Sequence, residues 1–174
     1  MCKQEQKGHT KKDVAPILPK RKHLPRLERI FDTHRAPIYY ITICVEDRRC
    51  ALDNNLIHDA LVQVWRASLD VYGWMVGRYM VMPDHIHFFA APNTEKAVKL
   101  SEFGGRWKGI TRKSICSIGY PSFNWQPEFF DHLIRNERSY IEKLDYICQN
   151  PVRAQLVANT EDWPYQGEIY LLKW

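Results

Sequence analysis

The chain has 174 residues, a length for one domain with tails, and 45% of them are hydrophobic and 13% aromatic, ample for a core. Five cysteines (Cys2, Cys44, Cys50, Cys116, Cys148) are scattered without a CxxC pair, which argues against a disulfide framework or a four-cysteine zinc site and for a reducing cytoplasm; no apolar run spans a membrane, and the first residues lack the apolar region of a signal peptide. The net charge of +5 is concentrated: residues 1–35 hold ten Lys/Arg against four acids, +6, and the remainder carries −1.

The first element in chain order is therefore a basic, proline-marked arm, residues 1–34, expected to be flexible. Its charge suits a polyanionic partner or serves only to solubilise the chain. Residues 35–174 read as a single domain. "APIYYITICVEDRR" predicts a strand from about Ile38 to Val45, rich in β-branched and aromatic residues. Cap-type residues Asp53 to Asn55 open a helix in which Leu56, Ala60, Leu61, Val64, Trp65 and Leu69 fall at helical spacing. "GWMVGRYMVMP" and "HIHFFAA" are two further strands, broken apart at Pro83-Asp84. A second helix follows over "EKAVKLSEFGGRWKGITRKSICSI", with Gly104-Gly105 expected to weaken or kink it. "PEFFDHLIR" is a fourth strand. A third helix runs from about Asn136 to Gln149 and is expected to stop at Asn150-Pro151, because the residue before proline disfavours the helical region. The remaining residues, from Val152, carry no clear pattern. The order β-α-β-β-α-β is that of a ferredoxin-like α+β fold, a four-stranded antiparallel sheet with two helices on one face, here with an additional C-terminal helix.

Within the third strand, His85 and His87 are separated by one residue, so their side chains point to the same face and Ile86 to the other. Two imidazoles that converge can ligate one metal ion. Two surface histidines are the plain alternative, but the surrounding run is apolar, and unpaired buried imidazoles are expensive.

The third helix places Tyr140, Ile141, Leu144, Ile147 and Cys148 on one apolar stripe, and Tyr146 almost opposite. Asn150 is four residues on, so it projects from the same side as Tyr146. An exposed tyrosine lying on the sheet or the tail is one reading. The other is chemical: beside a cation a phenolate becomes accessible and can form a covalent intermediate, and a carboxamide oxygen can complete a metal site with two imidazoles while leaving positions open for substrate.

The second helix carries Lys96, Lys99, Arg106, Lys108, Arg112 and Lys113 around Trp107, against only Glu95 and Glu102. Such a patch neutralises phosphates, or is simply a solvated helix face. Arg48, Arg49, Arg135, Arg138 and Arg153 are further unranked cations, and the segment from Arg35 to Tyr40 leads into the first strand.

Taken in order and at these spacings, "MPDHIHFFAAP", "WQPEFFDHLIRNERSY", "LDYICQNPVRAQLV" and "EDWPYQ" resemble the REP-associated tyrosine transposases of bacteria, a group within the single-tyrosine HUH transposases. The likeness covers most of residues 35–166. It implies a ferredoxin-like or RRM-like sheet, His85 and His87 as metal ligands, Asn150 in the place where the wider family often has glutamine, and Tyr146 as nucleophile, with Tyr140 its nearest rival. It implies cleavage and rejoining of single-stranded DNA near hairpins of the repeated extragenic palindrome type, through a 5′-phosphotyrosine, with Mg²⁺ or Mn²⁺ as cofactor and Zn²⁺ as the chemical rival. It implies that the segment from Arg35 to Tyr40 contacts nucleic acid and helps recognise a short guide sequence, and it implies action as a monomer or a homodimer. A nucleic-acid-binding protein that keeps the fold without the chemistry, and a zinc-stabilised structural protein, are the competing readings.

Overall fold

A computed structural model describes residues 36–93 and 97–172. The basic arm, together with Arg35 and Lys96, lies outside the described residues. The elements are β1 (Ile38–Cys44), α1 (Asn55–Tyr72), β2 (Trp74–Met82), β3 (His85–Pro92), α2 (Leu100–Ser117), β4 (Phe130–Ile134), α3 (Glu137–Arg153) and β5 (Gln166–Glu168), with single 3₁₀ turns at Glu46–Arg48 and Thr160–Asp162. The strands form one antiparallel sheet in the order β4-β1-β3-β2-β5. The first four have the expected ferredoxin-like arrangement. The fifth comes from the tail that showed no pattern: three residues are too few for alternation to be visible. It is held to β2 by its ladder and by the Trp163 indole, which donates to the Val81 carbonyl at 2.8 Å.

Strand alternation divides the core into two layers. Ile86, Phe88 and Ala90 of β3 pack with Ile41 and Ile43 of β1 against α1 and α2. Phe89 and Ala91 turn the other way, with Tyr40, Met80 and Met82, against α3 and Trp163. His85 and His87 share the parity of Phe89, so they belong to the α3 side.

Helix α1 starts because the Asn54 side chain accepts from the amides of Leu56 and Ile57, and it ends at Gly73, which takes the left-handed φ of 73° that a side chain would resist. Its buried face is Ile57, Leu61, Trp65, Ser68 and Tyr72; Leu56, expected on the apolar stripe, is exposed because it lies in the first turn beyond the sheet-facing side. Helix α2 begins at Leu100 rather than Glu95 and runs unbroken through Gly104-Gly105. The glycine at 104 serves close packing instead of a kink: a Cβ there would meet Cε1 of Phe129 at 2.5 Å.

Helix α3 also departs from expectation. It continues through Pro151 to Arg153, with the Ala154 amide bonded to the Asn150 carbonyl at 2.9 Å. Proline costs a helix one hydrogen bond, but Pro151 is buried here, and its burial offsets that loss. Ile141 is exposed, whereas Tyr140, Leu144, Ile147 and Cys148 pack inward. Gaining Pro151 and losing Ile141 rotates the buried face toward Tyr146. That side chain consequently sits on the flank of the helix beside the sheet, not opposite it.

Candidate active site

The two histidines stand at the start of β3, directly after a tight reversal that pairs Met82 with His85. That reversal is tied down by backbone. The Pro83 carbonyl accepts from Ala51 and Leu52 at 2.8 and 2.9 Å, and the Asp84 carbonyl from Val45 at 2.9 Å.

Each ring is held through Nδ1. The Asp84 carboxylate accepts from His85 Nδ1 at 2.6 Å, and its other oxygen accepts from Arg48 Nε at 2.8 Å. Arg48 is turned onto Asp84 by an unusual stretch of backbone, since Asp47 and Arg48 have φ of 55° and 56°. Left-handed non-glycine residues cost roughly 1–3 kcal/mol each. His87 Nδ1 lies 2.8 Å from both the Tyr40 and the Thr42 hydroxyls, which descend from β1 on the same sheet face. With the Nδ1 atoms so engaged, the Nε2 atoms turn to one another, 3.1 Å apart.

Burial, followed by the neighbouring His85, Arg48 and Lys143 charges, pushes His87 down to about 3. Burial likewise lowers His85, against the opposing pull of Asp84. Both rings are therefore neutral at pH 7, the form in which imidazole ligates metal. Two bare nitrogens facing each other repel unless a proton or a cation lies between them. Carboxylate–histidine pairing of the Asp84–His85 kind is the usual outer support of a metal-binding imidazole.

Helix α3 brings the phenol to this pair. The Tyr146 and His87 rings meet edge to face with centroids 5.8 Å apart, and Tyr146 stays 42% exposed. Lys143 Nζ and the Arg153 guanidinium stand 5.9 and 5.6 Å from the Tyr146 ring centroid. One helical turn on, Asn150 Nδ2 is buried without a hydrogen-bond partner. A buried unsatisfied amide is rare and costly, and a half-turn of the carboxamide exchanges nitrogen for oxygen at that position. Among the described residues no three His, Cys, Asp or Glu side chains converge to hold a metal ion. The groups that could hold a divalent cation are the two neutral imidazoles, with Asp84 committed behind His85, and on the α3 side this orphaned carboxamide.

The expected nucleic-acid residues are not gathered at this site. Helix α2 lies across the sheet from His85 and His87. Trp107 is corrected outright: its ring is fully buried, stacked on Trp65 at 5.5 Å, and packs α2 onto the core, with no surface left to meet DNA. Lys108 donates to the Gln126 and Pro127 carbonyls and pins the loop before β4. Arg106 pairs with Glu102 one turn away. Lys99, just before α2, and Arg112 and Lys113 on it are exposed. Arg35 and Lys96 fall outside the described residues.

Sequence reasoning missed Tyr40, Thr42, Asp84 and Lys143. Asp84 precedes His85 directly, which was a usable signal. Tyr40 and Thr42 depend on the β1–β3 register, which no local pattern reveals.

A ferredoxin-like sheet whose His-x-His pair meets a helix-borne tyrosine is the arrangement of the single-tyrosine HUH proteins. Comparison of the sequence places it more closely: a family model described as "Transposase IS200 like" matches residues 34–149, and the chain belongs to that family. It is similar to the REP-associated tyrosine transposase of Escherichia coli (strain K12), 28% identical over 132 residues that cover 73% of each chain. A Haemophilus influenzae relative assigned to the same group is 25% identical over 159 residues, 82% of this chain and 90% of the relative. The solved structure of a REP-associated tyrosine transposase bound to a REP hairpin matches with a TM-score of 0.60 at 25% identity, over 76% of each chain. No helix among the described residues is long and apolar enough to cross a membrane.

Proposed function

We propose that this transposase cleaves and rejoins single-stranded DNA beside a hairpin of the repeated extragenic palindrome type, with Tyr146 as nucleophile. The observation that carries this reading is the approach of the Tyr146 ring to His87 at 5.8 Å within one chain. His85, His87 and Asn150 would hold a divalent cation, Mg²⁺ or Mn²⁺, which when bound neutralises charge on the scissile phosphate. Tyr146 Oη attacks phosphorus in line. The bond to the 3′-oxygen breaks, the phenolic proton passes to solvent through the exposed side of the ring, the leaving 3′-oxygen takes a proton from solvent, and the products are a 5′-phosphotyrosine and a free 3′-hydroxyl. The new phosphodiester keeps the energy of the old one, so a second 3′-hydroxyl can reverse the attack and join strands. Asp84 and Arg48 keep His85 presented through Nε2. Tyr40 and Thr42 do the same for His87.

A labelled oligonucleotide carrying such a hairpin, incubated with Mn²⁺, should give a covalent adduct with the wild type. Tyr146→Phe should give none while binding the oligonucleotide with nearly wild-type affinity. A Tyr146→Phe adduct would remove Tyr146 from the mechanism. A second reading, a nucleic-acid-binding protein that does not cut, draws on the lack of a third His, Cys, Asp or Glu ligand among the described residues; a wild type that binds without any adduct would establish it.

A further inference from the structure

Beside the histidines the sheet presents a row that the cleavage reading does not use. Thr42, whose hydroxyl touches His87, pairs across β1–β4 with Phe130, and Tyr40 pairs with His132. Residues opposite one another in a ladder share a face, so Phe130 and His132 stand on the α3 side of the sheet with His85 and His87. Phe130 is 51% exposed on an outer strand of the sheet. A single exposed apolar side chain is ordinary, but edge strands are usually blunted with charge or proline. Here an aromatic residue stands two strands from His87, a backbone separation of about 10 Å at about 4.8 Å per strand. On the same face stands a cation beside the nucleophile: Lys143 Nζ is 5.3 Å from the Tyr40 ring centroid and 5.9 Å from that of Tyr146.

We infer that Phe130 is a stacking platform for a nucleobase next to the scissile phosphate, with Lys143 neutralising the phosphate that links them. The inference rests on the strand-cleavage reading of the site. The ligand class is an unpaired nucleotide, because only an unstacked base offers its face to an aromatic side chain. The parts on this face support this occupant over others: an exposed aromatic side chain, a cation and the nucleophile offer partners to the base, the phosphate and the scissile bond of a single strand. Arg153 extends the positive border on the far side of Tyr146. Base–aromatic stacking tolerates any base, so this subsite adds affinity and register and leaves sequence choice to other contacts.

The test measures binding and chemistry separately. Fluorescence anisotropy with a short labelled oligothymidylate, in EDTA, reads stacking without cleavage. Phe130→Ala and Phe130→Leu should each weaken binding by about tenfold or more, and Phe130→Trp should retain it. The leucine variant keeps the apolar area of β4, so it decides the matter should the alanine variant fail to fold. In the hairpin oligonucleotide, one abasic position flanking the cleavage site should weaken wild-type binding by a similar factor and leave Phe130→Ala unchanged. Binding by Phe130→Leu within about twofold of wild type, with abasic penalties identical in both proteins, would overturn the inference. So would a shift from dimer to monomer in Phe130→Ala at unchanged DNA affinity, which would make this face a contact between copies. Failure of the cleavage reading looks different: the wild type gives no adduct with Mn²⁺, whatever the anisotropy shows.

Discussion

At the scale of single residues, the site is built from groups whose value depends on staying uncharged or on staying paired. His87 is the clearest case. In the fold it is held neutral, pushed down to about 3 by burial first and by nearby positive charge second, whereas the unfolded chain titrates near the ordinary 6.5. The unfolded state therefore binds a proton that the fold refuses. The stability linked to His87 is fully present above about pH 6.5 and drains as pH falls toward 3, with a slope of up to about 1.4 kcal/mol per pH unit. In chelator, the urea midpoint should fall between about pH 7 and pH 5, and His87→Gln should flatten that fall even though it lowers the midpoint at neutral pH. An equal fall in the variant would assign the acid sensitivity elsewhere. The two histidines and the tyrosine were legible in the sequence because strand alternation and helical rotation are local rules. The hydroxyls of Tyr40 and Thr42 behind His87 were not, because they arrive by a pairing of strands more than forty residues apart in sequence.

At the scale of elements, the same contrast between local and tertiary rules explains where the helices differ from expectation. Propensity says that Gly104-Gly105 should weaken α2, yet tertiary packing uses one of the two glycines and ignores the other. A Cβ at 104 would enter the Phe129 ring, while a Cβ at 105 meets nothing within 4 Å. Gly104→Ala should therefore destabilise the protein by about 1–3 kcal/mol through overpacking. Gly105→Ala should stabilise it by about 0.5–1 kcal/mol through helix propensity. Thermal melts of the two variants should move in opposite directions, and stabilisation by both would mean that α2 is governed by propensity alone. Pro151 carries the parallel lesson in α3. The rule for the residue before proline ends the helix at Asn150, but burial of the proline ring carries it to Arg153. That extra turn keeps Lys143, Tyr146, Asn150 and Arg153 on one helix flank. The short β5 strand was invisible for the opposite reason: its place is set by the β2 edge and the Trp163 anchor, with no periodicity of its own.

At the scale of the whole molecule, the sheet separates two jobs. Its α1–α2 side is the larger aromatic core, where Trp65, Trp107, Trp125 and Phe88 interlock. Its α3 side carries the cluster of His85, His87 and Tyr146. Arg106, Lys108, Arg112 and Lys113 of α2 thus sit behind the site, a placement no linear charge count can disclose. The same layering bears on how copies of the chain relate. Only two residues, Arg135 and Asn136, separate β4 from α3, and the Asn136 side chain caps the helix by accepting from the Ser139 amide at 2.8 Å. Ile147 and Pro151 are buried in this chain's own α3-side layer, and Tyr146 meets this chain's own His87. Lending Tyr146 to a neighbour would break the cap or expose that layer; removing a single Ile-sized side chain from a core already costs about 2–5 kcal/mol. Each copy should therefore cut with its own tyrosine. Mixing Tyr146→Phe, which keeps the histidines, with His87→Ala, which keeps the nucleophile, should yield no more covalent adduct than either variant alone, at any ratio and after a cycle of unfolding and refolding together. Recovery of adduct in the mixture would show that α3 is exchanged between copies and that the close approach of Tyr146 to His87 in one chain is not the working arrangement.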